Sequence, residues 1–70
     1  MLAHLTVVAN GVPVEVAEGS NVDDLLHLLE LDGKWVVVER NGEPVPRAEL
    51  TTTRLADGDR VELVRAVAGG

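Results

Sequence analysis

The chain has 70 residues, no cysteine and a formal net charge of −6. A domain this small buries only about 60% of its unfolded surface, which leaves little room for a deep active-site cleft, and without cysteine it has no disulfide staple, zinc-thiolate site or thiol nucleophile of its own. The acidic balance argues against nucleic acid or an anionic membrane as partner, because phosphate binding relies on clustered Lys and Arg; a more basic protein surface suits it better.

The opening "MLAHLTVVANGVPVEV" places Asn10 and Gly11 between two β-rich runs. Asn-Gly readily takes the positive φ angles of a type I′ turn, so the chain is predicted to open on a β-hairpin. Alternation puts Leu5, Val7 and Ala9 on a core face and His4, Thr6 and Val8 on the other, with Val12, Val14 and Val16 sharing a face of the second strand. Pro13 donates no ladder hydrogen bond, so either that strand lies at a sheet edge or Pro13 sits where no partner is needed. The opening residues lack a charged n-region and a long apolar run, so neither a signal peptide nor a transmembrane span is expected, and a soluble cytoplasmic protein is.

In "EGSNVDDLLHLLELDG" the period changes: Val22, Leu25, Leu26 and Leu29 fall at i, i+3, i+4 and i+7, the stripe of an amphipathic helix. Ser20 with Asp23 reads as a capping box in which Asp replaces Glu, and Gly33 reads as the stop. "KWVVVERNGEPVPR" then gives a valine strand, a second Asn-Gly turn at Asn41 and Gly42, and a short segment cut by Pro44 and Pro46. "AELTTTRLADGD" reads as a loop or single helical turn anchored by Leu55, with Asp57 and Asp59 as turn formers. "RVELVRAV" is a last strand with Val61 and Leu63 toward the helix and Glu62, Val64 and Ala66 away from it. The order of elements defines an α+β fold with one main helix on one face of a mixed sheet. If the helix crosses over one face, the last strand enters beside the first.

Few residues point to chemistry. His4 falls on the non-core face and His27 near Asp23 one turn back, both as solvated or locally paired side chains, and two separated histidines are no metal-ligand set. No nucleophile, base and orienter stand together and no glycine loop cradles a phosphate, so catalysis of its own is not expected. Trp35, at the start of the valine strand, reads as packing. On a sheet covered by one helix, Val8, Val64 and Ala66 form either an apolar contact patch or an ordinary scatter of exposed side chains. The ending Gly69–Gly70 has two readings: a frayed terminus, or a tail without β-carbons that extends through a narrow tunnel and offers an ionised carboxylate to an ATP-using enzyme.

Together, "VANGVPVEV", "SNVDDLLHLL", "VVVERNGEPVPR" and "LADGDRVELVRAVAGG" resemble the ThiS family of sulfur carrier proteins in thiamine biosynthesis. The resemblance implies a ubiquitin-like β-grasp over residues 1–67, with about five strands, and a flexible glycine tail over residues 68–70. It implies that Gly70, at the end of Ala68 and Gly69, is adenylated by a ThiF-like adenylating enzyme that uses ATP, the chain holding no permanent cofactor. Sulfur from a persulfide, as on a cysteine desulfurase, then gives a thiocarboxylate that serves thiazole synthase. Val8, Val64, Arg65, Ala66 and Val67 would be contact surface. The ending "VAGG" also resembles the small subunit of molybdopterin synthase, which leaves a carrier for another sulfur-containing product as an alternative, beside a β-grasp binding or protein-conjugating module.

Overall fold

A computed structural model of the chain describes residues 3–65. Five strands form one mixed sheet: β1 (His4–Ala9), β2 (Val12–Ala17), β3 (Val36–Arg40), β4 (Glu43–Val45) and β5 (Arg60–Arg65), in the spatial order β2-β1-β5-β3-β4. β1 and β2 pair as one antiparallel hairpin, β3 and β4 as the other. β5 joins them, parallel to β1 and antiparallel to β3. Both hairpins turn on Asn-Gly with the expected left-handed backbone, φ being 48° and 80° at Asn10 and Gly11 and 51° and 84° at Asn41 and Gly42. Pro13 lies on β2 at an outer edge, as its missing N–H requires.

The helix α1 (Val22–Leu28) buries Val22, Leu25 and Leu26 against the sheet. They meet Val7, Ala9 and Val16 from the first hairpin, Val38 from the second, Val61 and Leu63 from β5, and Leu50 and Leu55 from the loop before β5. Each such aliphatic side chain contributes roughly 1.5–3 kcal/mol when fully buried. A helix of seven residues is too short to stand on propensity alone, so this packing holds it.

Its ends differ from the sequence reading. The capping box uses Asn21 and Asp24 rather than Ser20 and Asp23: Asn21 Oδ1 accepts from the Asp24 N–H at 2.7 Å and Asp24 Oδ2 from the Asn21 N–H at 2.9 Å. The shift by one residue lets the loop before β5 satisfy the other first-turn donors, Val22 N–H donating to Thr53 O and Asp23 N–H to Leu50 O. The helix also stops well before Gly33. Leu31 N–H reaches back to Leu26 O and Glu30 N–H to His27 O, a Schellman closure that puts Glu30, not a glycine, in the left-handed region at φ 58°. Gly33 instead opens a short 3₁₀ turn (Gly33–Trp35), where a β-carbon would sit 2.9 Å from Leu50 Cδ1. A second 3₁₀ turn covers Arg47–Glu49.

Trp35 does not pack in the core. Its 3₁₀ turn carries it past the helix cover and leaves it 52% exposed. No helix among the described residues is long and apolar enough to cross a membrane.

Candidate functional site

β5 is held more firmly than its ladder alone would hold it. Asp59, just before the strand and only 6% exposed, accepts from Arg40 Nε at 2.8 Å, from Asn41 Nδ2 at 3.0 Å and from the Ala56 N–H at 2.8 Å. Burial alone would push its carboxyl up, but these hydrogen bonds and the Arg40 charge outweigh that and hold it below the usual aspartate range. Asp59 is therefore the junction between the second hairpin and β5 rather than a turn former only. Asp57 lies in the turn before β5, and its side chain also ties that turn to β1, its Oδ1 accepting from the Thr6 N–H at 2.8 Å. Asn41 adds a grip on the start of the strand, its Oδ1 accepting from the Arg60 N–H at 2.9 Å.

With α1 on one face, the other face of the sheet is open, and its surface changes along β5. Level with the start of the strand, Val8 sits between Pro13 on β2 and Arg60 on β5. One step on, Glu62 lies directly opposite Glu39 of β3. Like charges in that position disfavour pairing, so this acidic rung costs stability. Further on, Val64 lies opposite Val37, and the two are 61% and 55% exposed. Beside Val37, a shallow hollow of about 420 Å³ runs along the second hairpin, bounded by Lys34, Pro44, Pro46 and Arg47 among others. The open face thus ends in an apolar patch where β5 leads into the C-terminal residues, with an acidic rung behind it.

Val8 and Val64 share this face but are not neighbours, because Val8 is level with Arg60, four residues earlier, or about 13 Å along the strand. Arg65 alternates onto the opposite face and is exposed. Ala66, Val67, Ala68, Gly69 and Gly70 lie outside the described residues. Sequence reading missed Val37 and Glu39. In a run of three valines nothing local says which points outward, and only the pairing with β5 does.

His27 finds Asp23 as expected, Nδ1 lying 3.2 Å from Asp23 Oδ2, while His4 is exposed. Among the described residues no group of three or more His, Asp or Glu is placed to hold a metal ion.

A mixed sheet of five strands with one helix across it, and the last described strand central beside the first, is the ubiquitin-like β-grasp. The crystal structure of the thiamine biosynthesis protein ThiS from Geobacter metallireducens shares this arrangement with a TM-score of 0.80 and 38% identity, covering 94% of this chain and 100% of that one. The model of the ThiS family matches residues 3–70, and the chain belongs to that family of small sulfur carriers in thiamine biosynthesis. The sulfur carrier protein ThiS of Bacillus subtilis is 39% identical over 49 residues, 70% of this chain and 74% of that one. A thiazole synthase of Paramagnetospirillum magneticum is 35% identical over 66 residues, 94% of this chain, although the chain spans only 20% of that protein's length.

Proposed function

We propose that the chain carries sulfur on its C-terminal glycine, Gly70, as a thiocarboxylate for thiazole formation. The observation that carries this reading is the family match, which runs through the β-grasp body and on to residue 70. The carboxylate of Gly70 is ionised at neutral pH and attacks the α-phosphorus of ATP in a ThiF-like activating enzyme, expelling pyrophosphate and leaving an acyl-adenylate. A persulfide sulfur, such as a cysteine desulfurase provides, displaces AMP. Cleavage of the new S–S bond by a thiol leaves the thiocarboxylate. The nucleophilic sulfur then stays tethered to a body that a thiazole synthase recognises, all in the cytoplasm.

The body's part is recognition. The Val37–Val64 patch and the Glu39–Glu62 rung lie on the open face toward the end of β5, and an apolar contact flanked by acidic groups suits a partner with an apolar and basic surface. In this reading Ala66 and Val67 continue the contact beyond Val64, whereas Val8, level with Arg60, and Arg65, on the opposite face, would meet the partner only apart from that patch. The relatives named for thiamine biosynthesis favour thiazole over molybdopterin as the destination of the sulfur.

Mass spectrometry of the native protein's C-terminal tryptic peptide, released after Arg65, tests the reading. The expected result is replacement of one carboxylate oxygen of Gly70 by sulfur. The peptide is used because oxidation of Met1 changes the intact mass by nearly the same amount. A terminus that stays unmodified after incubation with ATP, a sulfur donor and the activating enzyme would overturn the reading.

A further inference from the structure

Asn10 closes the first hairpin, and its φ of 48° is what that turn demands. Its side chain does something the turn does not need. β1 pairs with β5 only at Val8 with Arg60 and Ala9 with Val61, while β5 runs on to Arg65. On the β1 side, β5 bonds through alternate residues: Val8 N–H donates to Asp59 O, and Asn10 N–H to Val61 O. The next residue to turn its polar groups that way is Leu63, after β1 has already ended. Asn10 fills that place. Its Oδ1 accepts from the Leu63 N–H at 2.8 Å and its Nδ2 donates to Leu63 O at 2.9 Å, both bonds partly buried.

The side-chain amide therefore acts as one more peptide unit of β1. Few residues meet both conditions at this position: the turn selects Asn, Asp or Gly for positive φ, and the rung needs a donor and an acceptor on one short planar group. Asn alone satisfies them. The hairpin register does not depend on these two bonds, since Gly would close the same turn.

We propose that Asn10 is a positioning residue of the carrier reaction: β3 holds one edge of β5 as far as Arg65, and Asn10, by bonding the other edge at Leu63 beyond the end of β1, stiffens the strand end from which the C-terminal segment leaves the body. This rests on the carrier reading above. Gly70 is seven residues past Leu63, a span of at most about 25 Å. An enzyme that grips the sheet face and the terminus together must match that span and its origin. β3 ladders the other edge of β5 as far as Arg65, so without the Leu63 rung the end of the strand is held from one side only, frays more readily, and loses more conformational entropy when the terminus enters the enzyme.

The test compares wild type with Asn10→Gly, which keeps the turn and loses both bonds, and Asn10→Asp, which keeps only the acceptor. Two readouts are used: amide exchange at Leu63 relative to Val7 and Val38, and ATP–pyrophosphate exchange by the activating enzyme as the carrier concentration is varied. For Asn10→Gly, Leu63 exchange is expected to rise about tenfold beyond any change in the core amides. The KM for the carrier is expected to rise about fivefold with kcat little changed. Asn10→Asp should fall between, restoring part of both. An unchanged KM, or a KM that rises while Leu63 protection does not fall, would overturn the positioning role and leave the carrier reading standing. A wild-type chain that supports no exchange would overturn the carrier reading and this inference with it.

Discussion

Replacing Asp59 by Ala removes three hydrogen bonds to a charged acceptor in one step. Bonds to charged groups are each worth about 1.5–3 kcal/mol, but Arg40 recovers some hydration because its side chain is 32% exposed. The Ala56 N–H and the Asn41 amide do so less, being partly buried. A net loss of about 3 kcal/mol follows. A domain of 70 residues has roughly 3.5–10 kcal/mol to lose, so the fall in Tm should be about 15 °C. Urea unfolding followed by circular dichroism at neutral pH measures this directly. The pH dependence separates charge from packing. Asp59 has a lower pKa folded than unfolded, so the folded state binds fewer protons there, and the stabilisation is complete above the ordinary aspartate value near 3.9. It is lost as pH falls through the folded value. The stability difference between wild type and Asp59→Asn should therefore shrink on acidification from about pH 6 to about pH 3. A loss under about 1 kcal/mol in Asp59→Ala, or a difference from Asp59→Asn that is flat with pH, would refute the reasoning.

Two further outcomes follow from the described geometry. Glu30 holds the left-handed C-terminal cap at φ 58°, so Glu30→Gly should stabilise the fold by about 0.5–1 kcal/mol; a destabilised variant in the same urea assay would show that the Glu30 side chain outweighs its backbone strain. Val64→Glu should cost under about 1 kcal/mol of stability, because the position is 61% exposed, yet on the proposed function it should weaken binding to a ThiF-like activating enzyme about tenfold or more by titration calorimetry. Unchanged affinity would remove Val64 from the contact surface.

The parts of this molecule that were legible in the sequence are those whose residues had few alternatives. Asn-Gly at residues 10–11 and 41–42 has a strong conformational preference, so both hairpins and their registers followed from it. The stripe Val22, Leu25, Leu26 and Leu29 fixed the helix and its buried side. The helix ends were harder, because Ser20 with Asp23 and Asn21 with Asp24 offer the same spacing, and the choice between them was made by the distant carbonyls of Leu50 and Thr53. Trp35 carried an average expectation of burial that its short 3₁₀ turn overrode. The roles of Asp59 and Asn10 were not readable at all, since one depends on Arg40 and Asn41 and the other on a partner 53 residues away. On the open face, Val64 was legible from alternation along β5, whereas the Val37 opposite it needed the pairing of two strands.

The strand order has a consequence for how the protein is made. Among the described strands β5 is synthesised after the other four but stands in the middle, and within this sheet the two hairpins are joined through it. Until residues 60–65 leave the ribosome, the hairpins have no common sheet, and α1 has no complete surface to cover. Isolated two-stranded hairpins are marginal in water, so a nascent or prematurely terminated chain has no stable partial structure to rest in. Proteases that remove unfolded polypeptides would clear such fragments. The pool of folded molecules is thereby restricted to chains whose translation has passed β5, a check exercised by the fold itself.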